Sequence, residues 1–419
     1  MYWLDSIRIV GGKPLQGSIA IQGSKNAALP MMAATLLQEG ICALKGCPRI
    51  ADVKYMEEIL RSLGALVWWE GDTLYIDSTS VTGTEIPREY GEKMRSSVVV
   101  MGSLLGRMGK ANIPYPGGCV IGSRPINLHL LALARLGAAI EEIDGILHVT
   151  AKELKGADIF FKKASVGATQ NALLAAVKAK GDTRLSGCAA EPEVVWLCRF
   201  LNQMGARIEG TGTDTLRIRG VSSLHAVEFD IPADRIVAGT YVCACAATRG
   251  DIILENPPIE EMNALLEAYE KMGGQYEAKG GKLFLCGRKV DTPVSYLETQ
   301  VYPGFPTDMQ SPLMAVLASV PGKSHIRETV FEDRFKVASQ LTKMGARIVI
   351  DGRDAIIEGV PRLQGAQVFA QELRGGAALV IAGLGACGTT YINNRHFIER
   401  GYEHICDDLA SLGGNIRRD

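Results

Sequence analysis

The chain has 419 residues, of which 47% are hydrophobic and 22% charged, and its formal net charge is −1. This length exceeds that of one ordinary hydrophobic core, so two domains are expected, and the near-zero charge provides no basic surface for nucleic acid. The apolar runs are too short to cross a bilayer and the N-terminus lacks a signal-peptide pattern, so we predict a cytoplasmic protein that does not bind membranes.

A segment that recurs about every seventy residues organises the whole chain. In each copy an amphipathic helical pattern ends at a glycine, which is typical of a helix closed by a left-handed residue. A short alternating run such as "ALVWWE" or "ARIVID" follows and predicts a strand, and in most copies a turn and a second strand come next. The glycines, in chain order, are Gly64, Gly137, Gly205, Gly273, Gly345 and Gly413.

Each copy also contains a second helical pattern, which is apolar on every side. Such helices are predicted to be buried rather than to lie on the surface. Six βα-type repeats of this kind, three per domain, predict an α/β fold with buried central helices and with the sheets outside them. In chain order the six patterns are "SKNAALPMMAATLL", "MRSSVVVMGSLLG", "SVGATQNALLAAVKA", "ADRIVAGTYVCACAA", "TDMQSPLMAVLA" and "LRGGAALVIAGLGA".

These apolar helices begin with polar or charged residues. Helix capping accounts for Ser165, Asp234 and Asp308, because hydroxyls and carboxylates are favourable at helix N-termini. Cations are unfavourable there, by a few tenths to about 1 kcal/mol each. They are either end charges or groups held by a polyanionic ligand, and their recurrence at equivalent positions favours the ligand. The cations are Lys25, Arg95, Arg235 and Arg374.

The stretch "YPGGCVIGSRP", residues 115–125, places Cys119 in a loop rich in glycine and proline. Arg124 follows five residues later, and a nearby cation lowers the pKa of a thiol by favouring the thiolate. The loop alone is compatible with two interpretations, a reactive cysteine and an incidental cysteine in a surface turn. The ten cysteines form no CxxC pairs or His–Cys clusters, which favours a reducing compartment and predicts neither a metal nor another cofactor.

Several motifs, in order over essentially the whole chain, resemble those of the UDP-N-acetylglucosamine 1-carboxyvinyltransferase family. The resemblance implies a two-domain, inside-out α/β barrel. It also implies a first domain over 25–232 and a second domain made from 1–24 and 233–419. The motifs are "GSKNAALP", "PGGCVIGSRPINLHL", "SVGAT", "EPEVV", "PGFPTDMQ", "ETVFEDRF", "LRGGAALVIAGL" and "ERGYE".

The activity that this resemblance implies is the first committed step of peptidoglycan synthesis. The family transfers enolpyruvyl from phosphoenolpyruvate to the 3′-hydroxyl of UDP-N-acetylglucosamine and releases phosphate. Cys119 then resembles the general acid that protonates the phosphoenolpyruvate methylene and can form a covalent adduct. Asp308 resembles the group that accepts the proton of the sugar hydroxyl. The residues that resemble clamps for phosphoenolpyruvate are Lys25, Arg124 and Arg400, with Arg374 beside them.

The resemblance also implies a binding wall for the nucleotide sugar. Arg334, in the matching "FEDRF" segment, is expected to order the face of the second domain, although a surface ion pair with Glu332 or Asp333 is equally open. The wall residues are Asn26, Arg95, Lys163, Ser165, Val166, Gly167 and Val330. The uridine shelf comprises Arg124, Pro125, Ile126, Asn127 and Leu128.

Three positions depart from the usual family pattern. Asn127 and Glu372 stand where the family usually has Asp, so uridine affinity and the geometry near the reacting atoms are in question. Val99 stands where some members have Trp, and we expect little effect from it. His129 follows the shelf and is expected to be a packed or capping residue rather than a catalyst.

Two other functions compete with this interpretation. The chain could be a 3-phosphoshikimate 1-carboxyvinyltransferase, which shares the fold and the chemistry but lacks the "PGGC" loop. It could also be a non-catalytic or regulatory paralogue that binds a nucleotide sugar, which Asn127 and Glu372 would motivate. A phosphate-release assay with and without UDP-N-acetylglucosamine separates the three functions.

Overall fold

The structure is a computed structural model that describes residues 5–116 and 125–419. It divides into two compact units. The first unit contains 23–116 and 125–232, and the second unit contains 5–22 and 233–419.

Single helices or short groups of helices alternate with runs of one to three strands along the described chain. The helices are α1 Lys25–Ala34, α2 Ala51–Ser62, α3 Arg88–Gly91, α4 Val100–Met108, α5 Asn127–Arg135, α6 Val166–Ala176, α7 Pro192–Gln203, α8 Arg235–Thr248, α9 Asn263–Lys271, α10 Gln310–Leu317, α11 Val337–Lys343, α12 Leu373–Gly385 and α13 Ile405–Ser411. Short 3-10 helices are Thr35–Leu37, Arg95–Val99, Ile259–Glu261, Thr307–Met309 and Arg395–Phe397.

The strands are short, and most have five residues or fewer. They are β1 Ser6–Val10, β2 Gln16–Ala20, β3 Ile41–Lys45, β4 Leu66–Glu70, β5 Thr73–Asp77, β6 Lys110–Pro114, β7 Ala139–Ile143, β8 Ile146–Thr150, β9 Asp158–Phe160, β10 Asp182–Ser186, β11 Arg207–Glu209, β12 Thr215–Arg219, β13 Glu228–Asp230, β14 Asp251–Glu255, β15 Gln275–Lys279, β16 Lys282–Cys286, β17 Leu297–Glu298, β18 Gly322–Arg327, β19 Arg347–Asp351, β20 Asp354–Gly359, β21 Gln367–Phe369, β22 Thr389–Asn393 and β23 Asn415–Arg418.

Three sheets of the first unit share one plan. Their strand orders are β13-β3-β5-β4, β6-β8-β7 and β11-β12-β10-β9. In the two four-stranded sheets an edge strand runs parallel to its neighbour, β13 beside β3 and β9 beside β10, while the other pairs are antiparallel. A parallel bridge between Glu85 and Asn112 occupies the matching edge of the third sheet. The same supersecondary unit is therefore built three times.

The second unit repeats this plan in the orders β15-β16-β14-β2, β17-β18-β20-β19 and β21-β22-β1-β23. Its parallel edge pairs are β2 with β14, β17 with β18, and β21 with β22. The third of these sheets is completed from the other end of the described chain. Strand β1 lies between β22 and β23 and pairs antiparallel with both, so that Ile9 lies opposite Ile416.

The apolar helical patterns form the buried helices of both units. In the second unit α8, α10 and α12 contact one another, and residues 236–246 of α8 are all buried. In the first unit α4 contacts α1 and α6, and residues 168–176 of α6 are all buried. The burial agrees with the sequence prediction, because a helix that is apolar all round gains most from removal from water. Among the described residues, no helix combines the length and apolarity that a membrane span needs.

The repeated glycines all have a left-handed backbone, as the helix-ending pattern predicts. Each lies directly after the last turn of a helix and before the next strand. Their φ angles are 103° at Gly64, 98° at Gly137, 101° at Gly205, 96° at Gly273, 90° at Gly345 and 86° at Gly413.

Two of these glycines offer a matched stability test. A Cβ on Gly345 would meet no atom within 4 Å, whereas a Cβ on Gly273 would lie 2.2 Å from the carbonyl oxygen of Lys289. We expect Gly345→Ala to lower the free energy of unfolding by about 1 kcal/mol, the cost of the left-handed conformation. Gly273→Ala should cost about 3 kcal/mol, because the backbone must also move. Urea unfolding of both variants measures the difference, and equal losses would contradict the steric argument.

Candidate functional site

A carboxylate of the second unit is held between two buried arginines. Asp308 lies in the 3-10 helix Thr307–Met309, and its Oδ1 accepts a hydrogen bond of 2.7 Å from Nη2 of Arg334. Its Oδ2 accepts from Nε and Nη2 of Arg374 at 3.2 and 3.0 Å. Both arginine side chains are 3% exposed, and that of Asp308 is 27% exposed. The arrangement leaves the carboxylate accessible while fixing its plane from both sides.

Two of the roles considered from the sequence are wrong, namely helix capping by Asp308 and a local surface ion pair of Arg334. Asp308 is not an N-cap, because α10 begins after Met309 without a side-chain cap. Arg334 does not form a surface ion pair with its sequence neighbours, since Glu332 lies beside Arg353 and Asp333 beside Lys336. The ion pair with a residue 26 positions away was not predictable from local spacing.

Arg374 is the second residue of α12, where a cation is intrinsically unfavourable. Burial acts to lower the pKa of its guanidinium. The negative charges of Asp308 and Asp234, with the hydrogen bond to Tyr402, more than offset burial, and the pKa is raised above its ordinary value. Arg374 therefore stays charged, and a protein carboxylate rather than a ligand alone compensates its position.

Glu372 is the N-cap of α12. Its Oε2 accepts from the backbone N–H of Arg374 at 2.8 Å, and its Oε1 accepts from that of Gly375. The residue is 9% exposed. The carboxylate therefore satisfies two of the unpaired N–H groups at the start of the helix that carries Arg374.

This cap predicts the effect of shortening the side chain. Glu372→Asp should change the free energy of unfolding by less than about 0.5 kcal/mol and keep or raise turnover, because Asp is a preferred N-cap. Glu372→Ala should cost about 1 kcal/mol, because the two N–H groups lose their acceptor. Thermal unfolding and initial rates check both variants. A large loss of turnover in the Asp variant alone would mean that the longer carboxylate acts on the substrate.

A second buried carboxylate, that of Glu328, connects the segment of Asp308 to residues 330–331. Glu328 is 1% exposed, and its Oε2 accepts from the hydroxyl of Thr307 at 2.9 Å. Its Oε1 accepts from the backbone N–H groups of Val330 and Phe331 at 2.7 and 2.9 Å. The predicted wall residue Val330 is thus placed on the segment that is tied to Asp308. Glu328 was not predicted from the sequence, although its place directly after β18 is a recognisable signal for a site residue.

Arg400 lies in the turn that follows the 3-10 helix Arg395–Phe397. Gln22 holds the next residues of this turn, donating to the carbonyl of Gly401 at 3.2 Å and accepting from the N–H of Glu403 at 2.9 Å. Tyr402 then accepts a hydrogen bond of 3.3 Å from Nη1 of Arg374. The turn that carries Arg400 is therefore brought to the Asp308 cluster.

In the first unit, Lys25 is the first residue of α1, and its neighbour Asn26 is the second. The Nζ of Lys25 lies 3.3 Å from Oδ2 of Asp52, in the first turn of α2. The two side chains are 13% and 3% exposed. Asp52, which was not predicted from the sequence, compensates a cation at a helix N-terminus as Asp308 does for Arg374.

The predicted uridine shelf leads into α5. Ile126 is buried, Pro125 and Asn127 are exposed, and Leu128 is half-buried. Arg95, which begins the 3-10 helix Arg95–Val99, donates from Nη2 to the carbonyl of Pro125 at 3.4 Å. The structure therefore brings one predicted wall residue to the predicted shelf.

The start of α6 lies beside the start of α5. Ser165 caps α6 by accepting from the N–H of Ala168 at 3.4 Å, so its predicted capping role is confirmed. A Cβ on Gly167 would lie 3.0 Å from Cε1 of His129. His129 is buried and its Nδ1 lies 3.1 Å from Nδ2 of Asn171, which confirms that it is a packed residue. Val166 follows the cap, and Lys163 lies exposed just before it.

None of the described cysteines forms a disulfide, and most are buried. Burial raises the pKa of Cys42 to about 11 and that of Cys198 to about 12. Within 5–116 and 125–419, no three His, Cys, Asp or Glu side chains group as metal ligands would. Cys119 and Arg124 lie outside the described residues.

Comparison with known proteins places the chain. The profile of the family described as EPSP synthase (3-phosphoshikimate 1-carboxyvinyltransferase) matches residues 9–409. A relative from Caldanaerobacter subterraneus, named UDP-N-acetylglucosamine 1-carboxyvinyltransferase 2, is 44% identical over 99% of this chain and 100% of its own length. A UDP-N-acetylglucosamine 1-carboxyvinyltransferase from Geobacter metallireducens is 43% identical over 99% of both chains. The chain belongs to the UDP-N-acetylglucosamine 1-carboxyvinyltransferase family.

Solved structures agree on the fold of this enolpyruvyl transferase family member. The crystal structure of the enolpyruvyl transferase NikO from Streptomyces tendae has a TM-score of 0.88 at 25% identity, over 99% of this chain and 98% of that one. An EPSP synthase from Acinetobacter baumannii has a TM-score of 0.73 at 19% identity, over 99% of both chains. The fold is the mixed α/β fold of these enzymes.

Proposed function

We propose that this protein transfers enolpyruvyl from phosphoenolpyruvate to the 3′-hydroxyl of UDP-N-acetylglucosamine and releases phosphate. The observation that carries the proposal is the identity of 44% over nearly the full length to a relative of that name. The solved EPSP synthase is 19% identical, so the shikimate reaction has weaker support. The activity would serve the first committed step of peptidoglycan synthesis, in the cytoplasm.

We further propose that each unit is one inside-out α/β barrel, with three repeats around three buried helices. The burial of α8, α10 and α12 in one unit and of α1, α4 and α6 in the other supports this. The two units would then be the two domains of the family fold.

In this reaction Asp308 would accept the proton of the sugar hydroxyl as the hydroxyl oxygen bonds to C2 of phosphoenolpyruvate. Its Oδ1 accepts a hydrogen bond from Arg334 and its Oδ2 accepts two from Arg374, and the side chain is 27% exposed, so a substrate hydroxyl can reach the oriented carboxylate. Cys119 would protonate the methylene carbon. The Cys119 thiolate would then take a proton back from the same carbon while phosphate leaves C2 with the proton held by Asp308, which restores the double bond and both side chains.

The cations would bind the anionic groups of the two substrates. Lys25, Arg124 and Arg400 would hold the phosphate and carboxylate of phosphoenolpyruvate, with Arg374 beside them. The short distance between the starts of α5 and α6 supports a common wall for the nucleotide sugar, and helix N-termini suit a diphosphate. The wall would comprise Asn26, Arg95, Lys163, Ser165, Val166, Gly167 and Val330, with Arg334 ordering its neighbourhood and Pro125–Leu128 binding uridine.

Phosphate release tests the proposal. Release should require both phosphoenolpyruvate and UDP-N-acetylglucosamine, and omission of either substrate is the control. A higher rate with shikimate 3-phosphate would favour the activity by which the matching family profile is described. Binding of the nucleotide sugar without any release would identify a non-catalytic paralogue.

A further inference from the structure

We propose that Tyr402 is a positioning residue, which together with Thr240 sets the orientation of Arg374 and, through it, of Asp308. The inference rests on the proposed function, because it assigns Tyr402 a part in the same reaction. It starts from a continuous hydrogen-bonded chain through the core of the second unit. Arg374 donates to the hydroxyl of Tyr402 at 3.3 Å, and that hydroxyl lies 2.8 Å from the hydroxyl of Thr240.

The direction of the hydrogen bonds in this chain follows from counting protons. Thr240 donates to the carbonyl of Ile236 at 2.8 Å, one turn earlier on α8. A hydroxyl has one proton, so Thr240 accepts in its contact with Tyr402. Tyr402 therefore donates to Thr240 and offers its lone pair to Arg374. Burial raises the pKa of Tyr402, which keeps the phenol protonated as this arrangement requires.

The guanidinium of Arg374 is a planar fork, so fixing one edge fixes the others. Nη1 binds Tyr402, and this leaves Nε and Nη2 directed at Oδ2 of Asp308. The guanidinium carbon also lies 5.7 Å from the centre of the Tyr402 ring. Arg374 and Tyr402 are 3% and 1% exposed, so water could not readily take the place of the Tyr402 hydroxyl if that hydroxyl were removed. Without it, Nη1 must turn toward another acceptor, and the two-point contact with Asp308 is lost.

Tyr402→Phe tests this role, with Tyr241→Phe as the matched control. Tyr241 is equally buried, lies next to Thr240 on α8, and donates its hydroxyl to Asp408 rather than to this chain. We expect Tyr402→Phe to lower kcat about tenfold and to leave both KM values within about twofold. Tyr241→Phe should keep kcat within about twofold. A merely structural role would affect the two variants alike.

A double-mutant cycle tests the link to Thr240. Thr240→Val should lower kcat about threefold in the parent protein and have little further effect in Tyr402→Phe, because the chain is already broken there. Additive losses, or equal kcat values in the Tyr402 and Tyr241 variants, would overturn the proposal.

A readout without turnover separates this inference from the proposed function. The Nε–H resonance of Arg374, assigned from its loss in Arg374→Lys, should shift in Tyr402→Phe and stay in place in Tyr241→Phe. If the parent protein releases no phosphate, the proposed function fails, and this resonance still decides whether Tyr402 orients Arg374. An unchanged resonance would overturn the positioning role whatever the activity.

Discussion

Asp308→Asn should lower kcat by about 10²- to 10⁴-fold and the free energy of unfolding by about 2–3 kcal/mol. The loss of rate follows from replacing a proton acceptor by an amide, which cannot take the hydroxyl proton. The loss of stability follows from the contacts of Asp308. Its two oxygens accept hydrogen bonds from the buried guanidinium groups of Arg334 and Arg374.

The amide cannot serve both arginines. Its oxygen can accept from one guanidinium, but its NH₂ group then faces the N–H donors of the other. One arginine, 3% exposed, would be left without its carboxylate. Removing one partner of a buried ion pair lowers the free energy of unfolding because the other charge stays buried without compensation. Since Asp308 is partly exposed, we expect a smaller loss than for a fully buried pair.

Asp354→Asn is the matched control. Its side chain is also 27% exposed and also has two basic partners in the second unit, His325 and Arg327. Those partners are 30% and 47% exposed, so water can replace the lost contacts. We expect a stability change below about 1 kcal/mol and unchanged kcat. Steady-state rates and urea unfolding give both quantities, and an active Asp308→Asn protein would remove Asp308 from the proposed mechanism.

Cys119→Ala should lose most turnover and should abolish covalent labelling. If Cys119 is the proton donor beside Arg124, it is the most reactive thiol of the chain. Fosfomycin, an epoxide that resembles phosphoenolpyruvate and is used against this family, should then form a single adduct. Intact mass before and after treatment at pH 8, with peptide mapping, measures the number and place of the adducts.

The other cysteines provide the background for this test. Burial raises the pKa of Cys188 and Cys406 to about 11 and that of Cys245 to about 12, so little thiolate exists at pH 8. Cys286 and Cys387 are half-buried, and a protein with Ser at both positions is the control. It should label like the parent. Adducts at several cysteines, or full activity of Cys119→Ala, would contradict the catalytic role and favour the alternative that Cys119 is an incidental cysteine.

Much of the local structure was predictable from the sequence. The repeated glycines after helical patterns indicated left-handed helix ends, and residues such as Gly64 and Gly413 have that conformation. The apolar patterns indicated buried helices, and the Ser165 and Asp234 caps are present as expected. These features depend on neighbours within one or two turns, and hydrophobic periodicity and capping chemistry record such neighbours directly.

The partners of the site residues were decided by the tertiary structure. Arg374 meets Asp308 across 66 positions, and Tyr402 meets Thr240 across 162 positions. Likewise β1 completes the sheet of the last repeat from the other end of the chain. No periodicity within a segment encodes such pairs, since each side chain satisfies its local pattern with or without the partner. Only the packing of the buried helices brings their ends together, and there the charges of Arg374 and Asp308 compensate each other.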